Sequence, residues 1–245
     1  MRNIRLTIQY DGSRYKGWQR LGNTENTIQY KIEKVLSTLL NENIELIASG
    51  RTDAGVHAEN QIANFHTKSN ISINTILNYC YRYLPYDIVV KKAEDVEESF
   101  HSRFNVSQKI YTYKICNSTF PDVFTRKYSY HVTEKLDVEK MKEVASLFIG
   151  THDFKSFTAL KSKKKSTIRE IFYIQFKPSE NGIDIIFSGN GFLYKMLRIL
   201  SGTLIQAGLG KISPKEVKEI LDAKDRSLAP DTAPSHGLFL TSVLY

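Results

Sequence analysis

Ile4-Arg5-Leu6-Thr7-Ile8-Gln9-Tyr10 alternates apolar and polar side chains, the period-two pattern of a half-buried β-strand. The segments after it change period. Ile28, Ile32, Val35, Leu36 and Leu39 recur at helical spacing, with Asn26 and Gln29 offering a capping box at the start. Strand-like runs follow at Ile44 to Ile47 and at Ile62 to His66. A second helical pattern, Ile73, Ile76, Leu77, Cys80 and Leu84, begins after Ser72 and stops at Pro85, and Ile88-Val89-Val90 closes the set. The order is β-α-β-β-α-β, the split ferredoxin-like arrangement.

From Val106 the pattern starts again. A long strand to Cys116 points Lys109, Tyr111, Tyr113 and Ile115 to one side. A helix over 137–148, strands near 168–176 and 183–187, a helix over 193–207 and a last strand over 238–244 follow. Ser213-Pro214-Lys215-Glu216 starts one further short helix, with Pro at the first helical position and Glu completing a capping box. The expectation is an α+β fold of two similar ferredoxin-like-derived halves, 1–105 and 106–245. They share an extended, mostly antiparallel sheet with helices on one side, and a cleft lies between the halves.

The chain has 245 residues, and its 34 Lys and Arg against 26 Asp and Glu give a formal charge of +8. That length can bury a substantial core, and that charge suits a polyanionic partner as well as it suits plain solubility. Lys161-Ser162-Lys163-Lys164-Lys165-Ser166 concentrates positive charge in one loop. Cys80 and Cys116, the two cysteines, have no Cys-x-x-Cys spacing and read as reduced core residues. Met1 to Arg5 runs into a strand pattern without a signal-peptide core, and no apolar stretch is long enough to span a bilayer. Cytoplasm is the expected compartment.

Chemistry concentrates in Ala48-Ser49-Gly50-Arg51-Thr52-Asp53-Ala54-Gly55-Val56-His57-Ala58. This run sets a carboxylate in a glycine-bracketed turn directly after a strand, with a guanidinium two residues away. Gly50 and Gly55 permit conformations or close approaches that a side chain would forbid. An Asp beside such a turn can simply bond its own backbone, so the competing carboxylates matter. Asp11 sits in a turn before Gly12, Asp87 follows Pro85-Tyr86 as a cap, and Asp153 beside His152, Phe154 and Phe157 reads as a structural corner. There is no Walker loop, no full Gly-x-Gly-x-x-Gly turn and no His-Glu-x-x-His spacing.

The Gly50 to His57 run resembles the signature of tRNA pseudouridine synthases of the TruA type, and further stretches similar to that family recur in order. These are Tyr10-Asp11-Gly12 with Gly17-Trp18-Gln19, Phe100 to Phe104 followed by Lys109 to Tyr113, Phe148 to Phe154, Gly191 to Arg198, and Ala233-Pro234 with Gly237-Leu238. Departures are mild: Asn60 stands before Gln61 where the family usually has Gly, Leu21 replaces a frequent Gln, and Ser235 a frequent Ala.

The resemblance implies that Asp53 is the catalytic nucleophile and that Tyr111 lies against the target base. It implies that Arg51 fills the gap left by a flipped-out uridine and that Arg198 pairs with the ionised carboxylate. From periodicity alone Arg198 is equally a surface arginine on a helix whose apolar face is Leu193, Met196, Leu197, Leu200 and Leu204. His57 is expected to touch RNA or to orient the loop, and Lys163 and Lys164 to contact phosphate. The implied reaction converts uridine to pseudouridine in the anticodon stem-loop of tRNA. It is an internal isomerisation, so it calls for no cofactor and no metal. A homodimer is expected from the family. Two other readings are a non-catalytic tRNA-binding or folding protein on the same scaffold, and a metal-dependent RNA nuclease using Asp11 and Asp53.

Overall fold

A computed structural model describes residues 1–160 and 166–245, which form two compact units. The first is Met1–Ser107 together with Phe239–Tyr245, and the second is Gln108–Leu238.

In the first unit the elements run β1 (Arg2–Tyr10), α1 (Ile28–Leu40), β2 (Ile47–Ala48), β3 (His57–Thr67), α2 (Ile73–Tyr83) and β4 (Ile88–Val96). The sheet order is β4-β1-β3, with β2 on the far side of β3, and all of these pairs are antiparallel. That is the split arrangement expected from the period changes. Ile4, Leu6 and Ile8 of β1 are fully buried, as are Ile28, Ile32 and Leu36 of α1 and Ile76 and Cys80 of α2. The helices pack on each other, and α2 packs on β4. Thr27, rather than Asn26, caps α1 by accepting the Tyr30 N–H. The Asn26 amide is engaged elsewhere, donating to the Arg14 carbonyl.

The second unit begins with β5 (Gln108–Cys116), β6 (Tyr130–His131), α3 (Val138–Ser146) and β7 (Gly150–Asp153). A 3-10 turn (Phe154–Phe157), β8 (Ile168–Ser179), β9 (Gly182–Gly189), α4 (Met196–Gly208) and α5 (Pro214–Ala223) follow. Its strand order is β5-β9-β8-β7, antiparallel throughout, with β6 parallel to β5. The run β5, α3, β8, β9, α4 repeats β1, α1, β2, β3, α2, and β6, β7 and α5 are additions. The capping box at Ser213 and Glu216 forms as the sequence predicts.

β10 (Leu238–Leu244) returns to the first unit, where Phe239 and Leu240 pair in parallel with His57 and Ala58 of β3. The sequence expectation had grouped this strand with 106–245. Asn60, one of the departures from the family pattern, donates to the Thr241 carbonyl at 2.8 Å and so helps fasten it. Cys80 and Cys116 are buried thiols, and burial pushes the Cys80 thiol up to about 12. Among the described residues no helix is long and apolar enough to cross a membrane.

Candidate active site

Asp53 lies half-exposed in the connection between β2 and β3, and its backbone is fixed from several sides. At the entry, Ser49 donates its N–H to the Ile62 carbonyl at 2.8 Å and its hydroxyl to the Gln61 side chain at 2.6 Å. The Gln61 amide then donates to the Gly50 carbonyl at 2.8 Å. Thr52, the residue before Asp53, is held twice. Its hydroxyl shares a 2.7 Å hydrogen bond with the Tyr10 phenol, and its carbonyl accepts the Trp18 N–H at 3.0 Å. Burial pushes the Tyr10 phenol far above its ordinary range, so it stays neutral and able to donate. Downstream, Val56 donates its N–H to the Asp53 carbonyl at 3.1 Å, closing a turn with Gly55 at φ +78°.

Two glycines outside the loop let it sit this close. A Cβ on Gly12 would lie 2.0 Å from the Val56 carbonyl oxygen. One on Gly17, whose φ is +97°, would lie 2.7 Å from that of Thr52. Neither position tolerates a side chain without moving backbone. Arg51 is exposed on the same loop.

His57 is 1% exposed, which fits support of the loop better than contact with RNA. Its Nδ1 lies 3.1 Å from the Gly12 N–H nitrogen and 3.1 Å from an Asp11 carboxylate oxygen, and its ring stacks on Phe239 at 4.6 Å. Asp11 also accepts the Ser13 N–H at 2.9 Å. The other competing carboxylates have structural duties. Asp87 is not a cap: its carboxylate takes the Arg14 guanidinium at 2.7 Å and the Tyr15 hydroxyl at 2.6 Å. Asp153 caps the 3-10 turn and holds Thr167 and Lys224. Burial alone would raise its carboxyl, but the bonds from Thr167 and Lys224 outweigh that and hold it below the usual range.

The second unit carries Tyr111 and Arg198. Tyr111, in the middle of β5, is buried, with Phe192 edge-on to its ring at 5.4 Å and 88°. Arg198 occupies the first turn of α4, which starts at Met196 rather than at 193. Lys195 adopts φ +60°, and the Tyr194 carbonyl accepts bonds from Ala159 and Thr158 instead of from the helix. Arg198 is half-buried and locked to Ala233. Its Nε donates to the Ala233 carbonyl at 2.8 Å, and the Ala233 N–H returns a bond to the Arg198 carbonyl at 3.0 Å. That distinguishes it from a plain surface arginine. Gly202, one turn on, lets the same 231–233 segment approach, since a Cβ there would lie 2.3 Å from the Asp231 carbonyl. Tyr113 fastens the next residue by donating its hydroxyl to the Pro234 carbonyl at 2.9 Å.

Arg51 and Asp53 therefore share one loop, with His57 at the start of the strand that follows, and Tyr111 and Arg198 are each held in fixed surroundings in the second unit. Lys163 and Lys164 lie outside the described residues. The supports Tyr10, Thr52, Gln61, Gly12 and Gly17 were not singled out as site residues from sequence. The only signal was the pair of glycines in the 10–19 stretch. Among the described residues, no three His, Cys, Asp or Glu side chains cluster as a metal site would need.

A family model for tRNA pseudouridine synthase matches residues 6–105 and 144–245. A protein of Bacillus sp. (strain KSM-64) named tRNA pseudouridine synthase A is 49% identical over 245 residues, all of both chains. Another of Clostridium tetani, named tRNA pseudouridine synthase A 1, is also 49% identical over 245 residues and all of both chains. The tRNA pseudouridine synthase A 2 of Bacillus cereus (strain ZK / E33L) is 46% identical over 243 residues, 99% of each. Among solved structures, a chain in a crystal structure of a Cbf5-Nop10-Gar1 complex aligns with a TM-score of 0.40 and 13% identity. It covers 97% of this chain and 48% of that one, a likeness too loose to assign any residue.

Proposed function

The chain belongs to the tRNA pseudouridine synthase family, and from that premise we propose how it converts uridine to pseudouridine in tRNA: Asp53 is the nucleophile, acting on a uridine turned out of the anticodon stem-loop. The reaction breaks the bond from uracil N1 to ribose C1′ and makes one from C5 to C1′. The C5 proton is lost and N1 gains one, so the product is an isomer of the substrate. No oxidant, metal or group donor enters that balance, and the chain needs no cofactor for it.

A carboxylate suits this step because it is ionised at neutral pH when unperturbed, with a pKa of about 3.9, and can form an adduct that later breaks. Attack at C6, attack at C1′ and a glycal route all draw on the same carboxylate. The observation that carries the reading is the rigid mounting of Asp53. Asp53 is half-exposed, while the backbone leading into it is held through Tyr10, Trp18 and Gln61. Preorganisation of this kind is what a displacement requires.

Arg51, exposed two residues away, takes the space vacated by the base and so holds the nucleotide out of its stack, offsetting part of an unstacking cost of a few kcal/mol. Tyr111 lies against the uracil and offers a phenol for proton transfer. Arg198, set in one pose by Ala233, supplies positive charge during turnover. His57 positions the loop. Lys163 and Lys164 contact phosphate, consistent with the +8 charge of the chain. The enzyme works as a homodimer, as the family resemblance implies, and in the cytoplasm, the compartment expected from the sequence.

The test is to map pseudouridine in tRNA incubated with the purified protein and nothing else. Conversion in the anticodon arm that survives excess chelator and vanishes in Asp53→Asn supports the proposal. Binding of tRNA without any conversion would leave the non-catalytic reading instead.

A further inference from the structure

The segment 13–20 carries three exposed cations, Arg14, Lys16 and Arg20, and no acid. Two of them are pinned in an unusual way. Arg14 has 57% of its side chain exposed, yet Nε and a terminal nitrogen sit 2.8 and 2.7 Å from the carboxylate of Asp87, which is 7% exposed. Arg20, 49% exposed, is fixed at 3.1 Å by Glu33, which is 4% exposed and also holds the Gln29 amide and the Leu46 N–H. A surface arginine normally keeps its rotamer freedom. These two have given it up to carboxylates buried in the fold, so their guanidinium groups stand ready in one pose.

Tyr86 completes the feature. It is 88% exposed, and the Arg14 guanidinium carbon lies 5.4 Å from its ring centroid. A side chain that bare adds little to stability, so its packing gives no reason for its place. The strip adjoins the Asp53 loop directly. Gly17 and Trp18, between the two arginines, contact Thr52, and the Asp11 N–H donates to the Asp87 carbonyl at 3.0 Å.

We propose that Arg14, Arg20 and Tyr86 form a contact site for the RNA strand flanking the target nucleotide: the two guanidinium groups take backbone phosphates and the Tyr86 ring stacks on an unpaired base. The assignment rests on the reading that RNA is the substrate. Pre-set guanidinium forks match phosphate oxygens in geometry as well as charge. An open aromatic face beside Arg14 is the usual platform for an unstacked base. The same surface could otherwise meet a second copy of the chain, but the acids that pair with Arg14 and Arg20 are buried beneath them, so the charge that 13–20 exposes is cationic and favours a polyanion.

The experiment measures tRNA binding by the full chain across a range of salt, with turnover in parallel. Tyr86→Ala raises Kd and KM about fivefold and leaves kcat and the salt slope unchanged, and Tyr86→Phe restores both constants. Arg14→Gln and Arg20→Gln each flatten the salt slope by about one ion. Because Tyr86 is exposed, its result decides even where an arginine variant loses stability. An unchanged Kd in Tyr86→Ala overturns the inference, as does a Tyr86→Ala variant that sediments as a smaller species than the parent, which would make this face a contact between copies. Failure of the parent protein to make pseudouridine while Tyr86→Ala still weakens binding would sink the functional reading and leave the contact site standing.

Discussion

The same connection is built in opposite ways in the two repeats. In the second unit β8 and β9 are joined by Glu180 and Asn181 alone, with Ser179 paired to Gly182. This is the two-residue hairpin that matches strand twist at least cost. Gly182 lies so close to β5 that a Cβ would be 2.0 Å from the Ile115 carbonyl. In the first unit the corresponding step from β2 to β3 spans 49–56 and carries Arg51 and Asp53. The second unit has its extra length elsewhere, part of it between α3 and β8, where β7, a 3-10 turn and the Asp153 corner are inserted. On the proposed function, a loop that presents a side chain to a substrate is longer than the strands require, and its neighbours then hold it still. A loop that only reverses the chain is as short as the turn allows.

The sharpest way to break this contrast is to alter the two connections in parallel. Asp53→Asn lowers turnover by at least about 1,000-fold, as expected for a nucleophile, while tRNA affinity stays within about twofold of the parent. Asn181→Ala in the hairpin changes turnover by less than about twofold. Single-turnover assays and filter binding read both quantities. Equal losses of rate and affinity in Asp53→Asn would mean that the residue holds structure and does no chemistry.

Next in size is the clamp on the loop rather than the proposed nucleophile. Gly17→Ala must relieve a 2.7 Å approach to the Thr52 carbonyl while holding φ at +97°, a strain of about 1–3 kcal/mol. The displaced loop costs about 100-fold in kcat. Thermal melting and turnover measured together check it, and a variant that keeps full kcat would show that the loop tolerates displacement. Arg51→Ala is milder still. It lowers kcat about tenfold to thirtyfold by weakening the hold on the flipped nucleotide, with KM within about threefold. Unchanged kinetics would remove Arg51 from the mechanism.

Local order was legible in the residues, and long-range partnership was not. The alternation from Ile4 to Tyr10, the helical spacing from Ile28 and the Ser213 box each depend on neighbours within a few positions, and each formed as read. The Asp53 loop could be picked out because its residue types are themselves the signal. Pairings that cross a hundred residues leave no periodic trace. β10 pairs with β3 at Phe239 and His57, and nothing in 238–244 names that partner. Asp87 reads as a cap from its place after Pro85, yet its carboxylate serves Arg14 and Tyr15, far away in the chain. Gly12 and Gly17 stand out in the sequence only as part of a family-like stretch, because close approach of a distant carbonyl cannot be inferred from the glycine itself. The start of α4 slipped by three residues for a related reason: the Tyr194 carbonyl is claimed by Thr158 and Ala159, so the helix cannot begin before it.

The smallest expected effect separates the two acidic turns by what they respond to. Asp153 has a carboxyl held below its ordinary range. Burial opposes this, but Thr167 and Lys224 together win. A depressed folded-state pKa gives stability that is fully present above the unfolded value, about 3.9, and is lost as pH falls through the lower folded value. With the side chain 26% exposed, the contribution is about 1 kcal/mol. Asp153→Asn therefore costs about that much in urea unfolding at pH 7 and less at pH 3, below the unfolded value, and kcat at pH 7 stays within about twofold. Asp53→Asn shows the converse, a loss of turnover with little change in unfolding. If Asp153→Asn cost the same at both pH values, the corner would be holding its partners by shape instead of charge. If it slowed catalysis as Asp53→Asn does, the division of labour between a turn for chemistry and a turn for packing would fail.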